Sequence, residues 1–65
     1  MNKIWICYDE RAEIEGPEEA QVLEAKAEGP PTRKELNKAK NIGGIWFECQ
    51  VNEKNQVLNQ KIYTH

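Results

Sequence analysis

The apolar residues of this chain fall into short runs, separated by polar segments that carry most of its Gly, Pro and Asn. The runs at 3–8, 44–52 and 56–63 (K-I-W-I-C-Y, G-I-W-F-E-C-Q-V-N and Q-V-L-N-Q-K-I-Y) are rich in β-branched and aromatic residues, which predicts strands. The polar stretch N-E-K-N at 52–55 predicts a turn, so the last two strands are expected to form a hairpin. Residues 9–19 are acidic, contain a Gly-Pro pair and are predicted to form a loop.

The segment 32–41 carries the strongest helix signals. Thr32 and Glu35 form the T-x-x-E pattern of a capping box, in which each side chain accepts a hydrogen bond from the other residue's backbone N–H. A narrow apolar stripe and a left-handed stop complete the pattern, at Leu36, Ala39 and Gly43.

Residues 20–28, A-Q-V-L-E-A-K-A-E, allow two interpretations. Alternation of Leu23, Ala25 and Ala27 with charged residues is typical of a strand. A helix is indicated instead by the composition and by the flanking residues Pro17, Glu18, Glu19 and Gly29. We favour the strand.

The predicted fold class is α+β, with a small, mostly antiparallel sheet in the order β-β-α-β-β and one helix packed on one face. The whole chain of 65 residues is expected to form a single domain. If residues 17–28 are helical, the order becomes strand, helix, helix and hairpin.

Side chains alternate between the two faces of a strand, which divides each predicted strand into two sets. In 44–52, one face carries the apolar set Ile45, Phe47, Cys49 and Val51. This set is expected to face the helix, with Cys49 acting as a small core hydrophobe.

The other set contains Trp46 and Glu48, and Trp5 is expected to share its face if the isoleucines of strand 3–8 also point to the helix. Because one helix covers only one face, Trp5, Trp46 and Glu48 are predicted to form an exposed interface. The alternative is that strand 3–8 is central and buried on both faces. Cys7 and Cys49 are expected on opposite faces, which argues against a disulfide between them.

Residue types needed for catalysis or for a metal site are scarce. The chain has no Ser, its one histidine is the terminal His65, and its two cysteines are 42 positions apart without a C-x-x-C pattern. A structural zinc site therefore lacks ligands, and no Gly-rich phosphate loop is present. We expect no enzyme activity, no cofactor and no metal.

The charges are unevenly distributed around a net charge of −2. Eight of the eleven acids lie between Asp9 and Glu28, where Arg11 and Lys26 are the only bases. Segment 32–41 is basic. The candidates for electrostatic docking are Arg11, Arg33, Lys34, Lys38 and Lys40. Solvated surface charge is the plainer interpretation of both segments.

A protein this small has a marginal core that oligomerisation often stabilises, so a homodimer is one expectation. No apolar run is long enough to span a membrane, and the N-terminus becomes acidic too early for a signal peptide. We therefore expect a cytoplasmic protein with reduced thiols.

Three short stretches, Y-D-E-R-A at 8–12, A-Q-V-L-E at 20–24 and V-L-N-Q-K at 57–61, resemble small uncharacterised phage and prokaryotic proteins. These share a Y-D-x-R-A start, a short T-V-L strand and a final strand reading L-V-N-E. Gln21 and Gln60 depart from that pattern. The resemblance implies a strand at 20–25 and draws attention to Arg11, and it implies no activity.

The resulting hypothesis is a small noncatalytic protein–protein interaction module, such as a phage or mobile-element accessory or inhibitor protein. Its partner would be another protein or a second copy of itself. The alternatives are a nucleic-acid-binding module that uses the basic helix 32–41, which the acidic net charge disfavours, and a subunit that is unstable outside a larger complex.

Overall fold

A computed structural model describes residues 2–64, and Met1 and His65 lie outside the described residues. The fold is α+β, as predicted, with four strands and one long helix in the order β-β-α-β-β. The elements are β1 (Asn2–Asp9), α1 (Arg11–Ile14), a 3₁₀ turn (Pro17–Glu19), β2 (Val22–Lys26), α2 (Arg33–Asn41), β3 (Gly44–Val51) and β4 (Val57–Ile62).

The four strands form one antiparallel sheet in the order β2-β1-β3-β4. The predicted C-terminal hairpin is confirmed as β3–β4, in which Phe47 lies opposite Ile62. The strand interpretation of residues 20–28 is also confirmed, because β2 pairs with β1 and places Ala25 opposite Ile6. The central strands are β1 and β3, and the edges are β2 and β4.

Helix α2 packs on the sheet face that carries Trp5, Cys7 and Trp46, which we call the Trp face. Ala39 is only 4% exposed and forms a cluster with these three residues. The expectation that Ile45, Phe47, Cys49 and Val51 face the helix is therefore wrong. Both sets of side chains in the central strands include large apolar residues, so their alternation defines the two faces but does not say which one the helix covers.

The opposite face, called here the Phe face, is covered by the segment 10–20. Ala12 is buried in a cluster with Tyr8, Phe47 and Cys49, and Ala20 packs against that cluster. The rings of Tyr8 and Phe47 meet edge to face, with centroids 5.3 Å apart. The segment predicted as a loop thus folds into α1 and a 3₁₀ turn that act as a second cover.

The start of α2 matches the predicted capping box. The Thr32 Oγ1 atom accepts the Glu35 N–H at 3.2 Å, and Glu35 Oε1 accepts the Thr32 N–H at 2.9 Å. The same carboxylate oxygen accepts a hydrogen bond from Lys26 Nζ at 2.7 Å, which ties the helix to β2. Gly43 ends the helix with φ of 73°.

This network makes part of the stability dependent on pH. The hydrogen bond from Lys26, followed by those from Thr32, lowers the pKa of Glu35 from 4.5 to about 2. Because the pKa is lowered by folding, this contribution is complete above 4.5 and is lost as the pH falls toward about 2. We expect Glu35→Gln, which keeps the capping geometry, to lose less stability than the wild type over that range.

The measurement is the urea midpoint of both proteins at neutral pH and near pH 2, with Glu53→Gln in the β3–β4 turn as the control. The Glu53→Gln variant should follow the wild type. Equal acid sensitivity of Glu35→Gln and wild type would contradict the assignment.

Candidate functional site

The structure does not expose the predicted aromatic interface. Trp5 is 8% exposed and Trp46 is 2% exposed, because α2 covers the Trp face. The prediction that both tryptophans form an open interface is therefore wrong, and the alternative, a central β1 buried on both faces, is confirmed. Neither indole N–H has an acceptor among residues 2–64, although both nitrogen atoms are buried.

Glu48, the third predicted interface residue, lies on the Trp face opposite Trp5 in the β1–β3 register. Its carboxylate pairs with Lys3 at 3.3 Å and with Lys61 at 3.4 Å, and its side chain is 18% exposed. Burial alone would raise the pKa of Glu48, but hydrogen bonds and charge from the two lysines outweigh it, so the pKa is lowered. Glu48 thus links β1, β3 and β4 through ion pairs, so its charge is already paired within the chain.

The charge of Arg11 is also paired, with a residue of the same short helix region. Its Nε donates to Glu15 Oε2 at 2.7 Å, four residues on, and its backbone N–H donates to Asp9 Oδ1 at 3.0 Å. The hydrogen bond to Glu15, with the charge of that carboxylate, raises the pKa of the guanidinium further. This is the local salt bridge expected of a solvated charge rather than a free docking group.

The bases of α2 are different, because all four are exposed and none has a salt bridge within residues 2–64. They divide into two pairs around the helix. Arg33 and Lys40 are seven positions apart and lie on one side, whereas Lys34 and Lys38 lie on another. The first pair borders a cavity.

That cavity is a groove of about 510 Å³ between α2 and the end of β4, which we call the α2–β4 groove. The helix contributes Ala39 and the positions i, i+3, i+4 and i+7 counted from Arg33, which form one helical face. Tyr63, just after β4, contributes aromatic surface, and the buried Trp46 also lines the groove. The lining residues are Arg33, Leu36, Asn37, Ala39, Lys40, Gly44, Ile45, Trp46, Ile62, Tyr63 and Thr64.

The lining contains two cations and no carboxylate, and most of the rest is apolar. Leu36 and Tyr63 are half-buried against the cluster of the Trp face. Sequence reasoning identified Arg33 and Lys40 but not Leu36, Asn37, Ile62 and Tyr63 as their neighbours. The i, i+3, i+4, i+7 spacing on α2 was the available signal. What it could not show was that this side of the helix lies beside β4.

A second cavity of about 350 Å³ lies on the Phe face near the start of β4 and is lined by Pro17, Glu18, Phe47 and residues 57–60. Between it and the core, Gln60 Oε1 accepts hydrogen bonds from the Tyr8 hydroxyl at 2.8 Å and from Cys49 Sγ at 3.3 Å. These bonds hold Gln60 in place, so its role is to close the core beside an exposed strand.

The two thiols behave as core residues. Cys7 is 1% exposed on the Trp face and Cys49 is fully buried on the Phe face, so the prediction of opposite faces is confirmed and both are free. Burial raises the pKa of Cys7, with Glu24 adding to the effect, and burial together with Glu48 raises the pKa of Cys49. The reactive thiolate form is therefore suppressed at neutral pH.

No group of three or more potential metal ligands converges within residues 2–64. No helix in the same described range is long and apolar enough to cross a membrane. Comparison of the chain with protein-family models, with curated proteins and with solved structures found no match.

Proposed function

We propose that this protein is a noncatalytic protein–protein interaction module that binds an acidic segment of a partner protein in the α2–β4 groove. The observation that supports this most directly is the composition of the lining. Arg33 and Lys40, which form no salt bridge within residues 2–64, border an otherwise largely apolar surface that contains no carboxylate. Apolar side chains of the partner would bury Leu36 and Tyr63, and flanking carboxylates would meet the two cations.

The size of the groove is consistent with this role. Its volume of about 510 Å³ is within the range of cavities that hold ligands, and it accommodates the side chains of a short segment rather than a whole domain face. Aromatic residues and arginine are the types that contribute most at protein interfaces, and Tyr63 and Arg33 supply them here.

The test is selection of random peptides displayed on phage against the wild-type protein, followed by affinity measurements on two charge-reversed variants. We expect selected peptides to combine large apolar residues with Asp or Glu. Arg33→Glu with Lys40→Glu should weaken binding by at least about tenfold, because both cations become repulsive.

The matched control is Lys34→Glu with Lys38→Glu, which makes the same change in net charge on the same helix, away from the groove. This control should retain most of the affinity, and circular dichroism should show that both variants keep α2. Equal weakening by the two double variants, or selected peptides without acidic residues, would contradict the proposal.

A second candidate function is nucleic-acid binding by α2. The observation that favours it is the exposure of Arg33, Lys34, Lys38 and Lys40 without salt bridges within the described chain. In that case both double variants should weaken binding to mixed-sequence RNA or DNA equally, and affinity should fall steeply with salt. The acidic segment 9–28 opposes this function, because it repels phosphates.

A further inference from the structure

The outer edge of β4 presents unpaired backbone groups at known positions. The Tyr63 N–H donates to the Trp46 carbonyl oxygen at 2.8 Å, so the backbone of Tyr63 points toward β3. Since the direction alternates along the regular stretch 59–62, the N–H and C=O groups of Ile62 and Gln60 point away from β3. These groups lie at the free edge of the sheet. Leu58 lies next to them, at the register shift.

This edge also carries exposed apolar side chains. Val57, Leu58 and Ile62 are 43%, 54% and 47% exposed. The only charge in β4 is Lys61, whose side chain is 75% exposed and whose Nζ lies 3.4 Å from Glu48 on the Trp face. The strand contains no proline and no second charge, so little in the stretch 59–62 opposes pairing with another strand.

The opposite edge carries more charge. β2 contains two charged residues, Glu24 and Lys26, within five positions. Its pairing with β1 also shifts register near its first residues, between Val22 and Glu24. The register shift in β4 lies at its first residues, near Val57, and leaves the stretch 59–62 regular.

We propose that β4 pairs with β4 of a second copy of this chain, antiparallel and about a two-fold axis at Gln60. Outward-pointing residues must oppose each other for the backbone hydrogen bonds to form, which restricts the register to steps of two. An axis at Gln60 places Leu58 opposite Ile62 of the second copy, so the exposed apolar side chains cover each other.

Neighbouring registers are less favourable. Moving the axis to Lys61 places the two copies of Lys61 opposite each other, and like charges in that position are destabilising. Moving it to Asn59 places Leu58 opposite Gln60 and Ile62 opposite Gln56. Moving it to Ile62 leaves Leu58 without a partner. With the axis at Gln60, Lys61 opposes Asn59 of the second copy, and Leu58 through Ile62 are all paired.

This pairing joins two four-stranded sheets into one. The two-fold axis is perpendicular to the sheet, so both α2 helices lie on the same face and the two α2–β4 grooves lie on either side of the joined edges. Self-association goes beyond the proposed groove function and does not depend on it.

The first test is disulfide cross-linking of two single variants, Leu58→Cys and Ile62→Cys. In the proposed register their Cα atoms are about 5.5 Å apart, within the range that a disulfide spans. The two copies of position 58, and likewise those of position 62, are offset by four residues, or roughly 13 Å, which is too far for a disulfide. We therefore expect a covalent dimer on oxidation of the mixture and none from either variant alone.

No cross-link in the mixture would overturn the proposal, and so would a dimer formed by Ile62→Cys or Leu58→Cys alone, which requires another register. Buried Cys7 and Cys49 do not compete in the folded protein. On a denaturing gel, reduction with dithiothreitol should return the mixture to the monomer mass of 7.5 kDa.

The second test is molar mass by light scattering over a dilution series. We expect the wild type to approach twice 7.5 kDa at high concentration, and Leu58→Lys with Ile62→Lys to remain at 7.5 kDa. Val22→Lys on β2 is the matched control, because Val22 is 54% exposed, as Leu58 is, and this variant should still dimerise. A wild type that stays monomeric throughout would overturn the proposal.

The two proposals fail separately. Arg33→Glu with Lys40→Glu should lose peptide binding and keep the dimer. Leu58→Lys alone, at a position outside the groove lining, should weaken the dimer and keep peptide binding.

Discussion

Replacing Trp46 with alanine is expected to remove much of the stability of this domain. Trp46 is 2% exposed and packs with Trp5, Cys7 and Ala39 between the sheet and α2. Truncating a buried tryptophan typically costs about 3–5 kcal/mol. A domain of this length has a total stability of roughly 3–10 kcal/mol, so the variant should be largely or partly unfolded at room temperature.

The measurement is urea unfolding followed by circular dichroism. Trp46→Phe keeps most of the apolar volume and removes the N–H that lacks an acceptor, so its loss should be clearly smaller. Ile14→Ala is the control, because Ile14 is 81% exposed and its truncation should change the stability by less than about 0.5 kcal/mol. Similar midpoints for Trp46→Ala and Ile14→Ala would show that Trp46 does not lie beneath α2.

Adding one methyl group at Gly44 should also have a large effect. A Cβ atom there would lie 2.6 Å from Cys7 Sγ, 3.3 Å from Leu23 Cδ1 and 3.5 Å from Ala39 Cβ. Cys7 is 1% exposed and has little room to move. We expect Gly44→Ala to cost about 1–3 kcal/mol through overpacking between β3, β1 and α2.

A double-mutant cycle identifies the cause. Cys7→Ala removes the sulfur atom, so it should destabilise the wild type but recover stability in the Gly44→Ala background, with a coupling of about 0.5–3 kcal/mol. Gly43→Ala is the control. Nothing lies within 4 Å of its Cβ, but its φ of 73° makes alanine unfavourable by about 1–3 kcal/mol. Cys7→Ala should not rescue that variant, and equal rescue of both would contradict the steric explanation.

Most elements of the fold could be predicted from the chain because their signals are local. The Thr32–Glu35 capping box and the Gly43 stop define α2 within one residue. The polar turn after Asn52 specifies the β3–β4 hairpin. Alternation in residues 20–28 correctly favoured a strand over a helix, although the composition of that segment is typical of a helix.

The candidate site could be predicted only in part. Its cations, Arg33 and Lys40, are evident in the sequence, but their apolar neighbours Ile62 and Tyr63 come from a distant segment. The predicted interface failed because it assumed a single cover for the sheet. Residues 9–19 have the composition of an acidic loop, yet Ala12 and the adjacent Ala20 pack on the Phe face and leave neither face open.

The sequence by itself determined which side chains share a face of β1 and β3, because alternation along a strand is a property of the backbone. Together with the assumption that the isoleucines of β1 share a face with Phe47, it placed Cys7 and Cys49 on opposite faces and Trp5 and Trp46 on the same one, and the β1–β3 register confirms this. Only the tertiary structure decided which face α2 covers. β2 and β3 run parallel on either side of β1, so α2 crosses over β1 to connect them.

Such crossovers are right-handed in about 98% of cases. The Tyr63–Trp46 hydrogen bond shows that the backbone of Trp46 points toward β4. Because the Trp46 backbone groups point toward β4, a right-handed crossover from β2 to β3 places α2 on the face to which the Trp46 side chain points. Which residues of β3 direct their backbone N–H and C=O groups toward β1 and which toward β4 depends on how the strands assemble. No local pattern of residues encodes this choice.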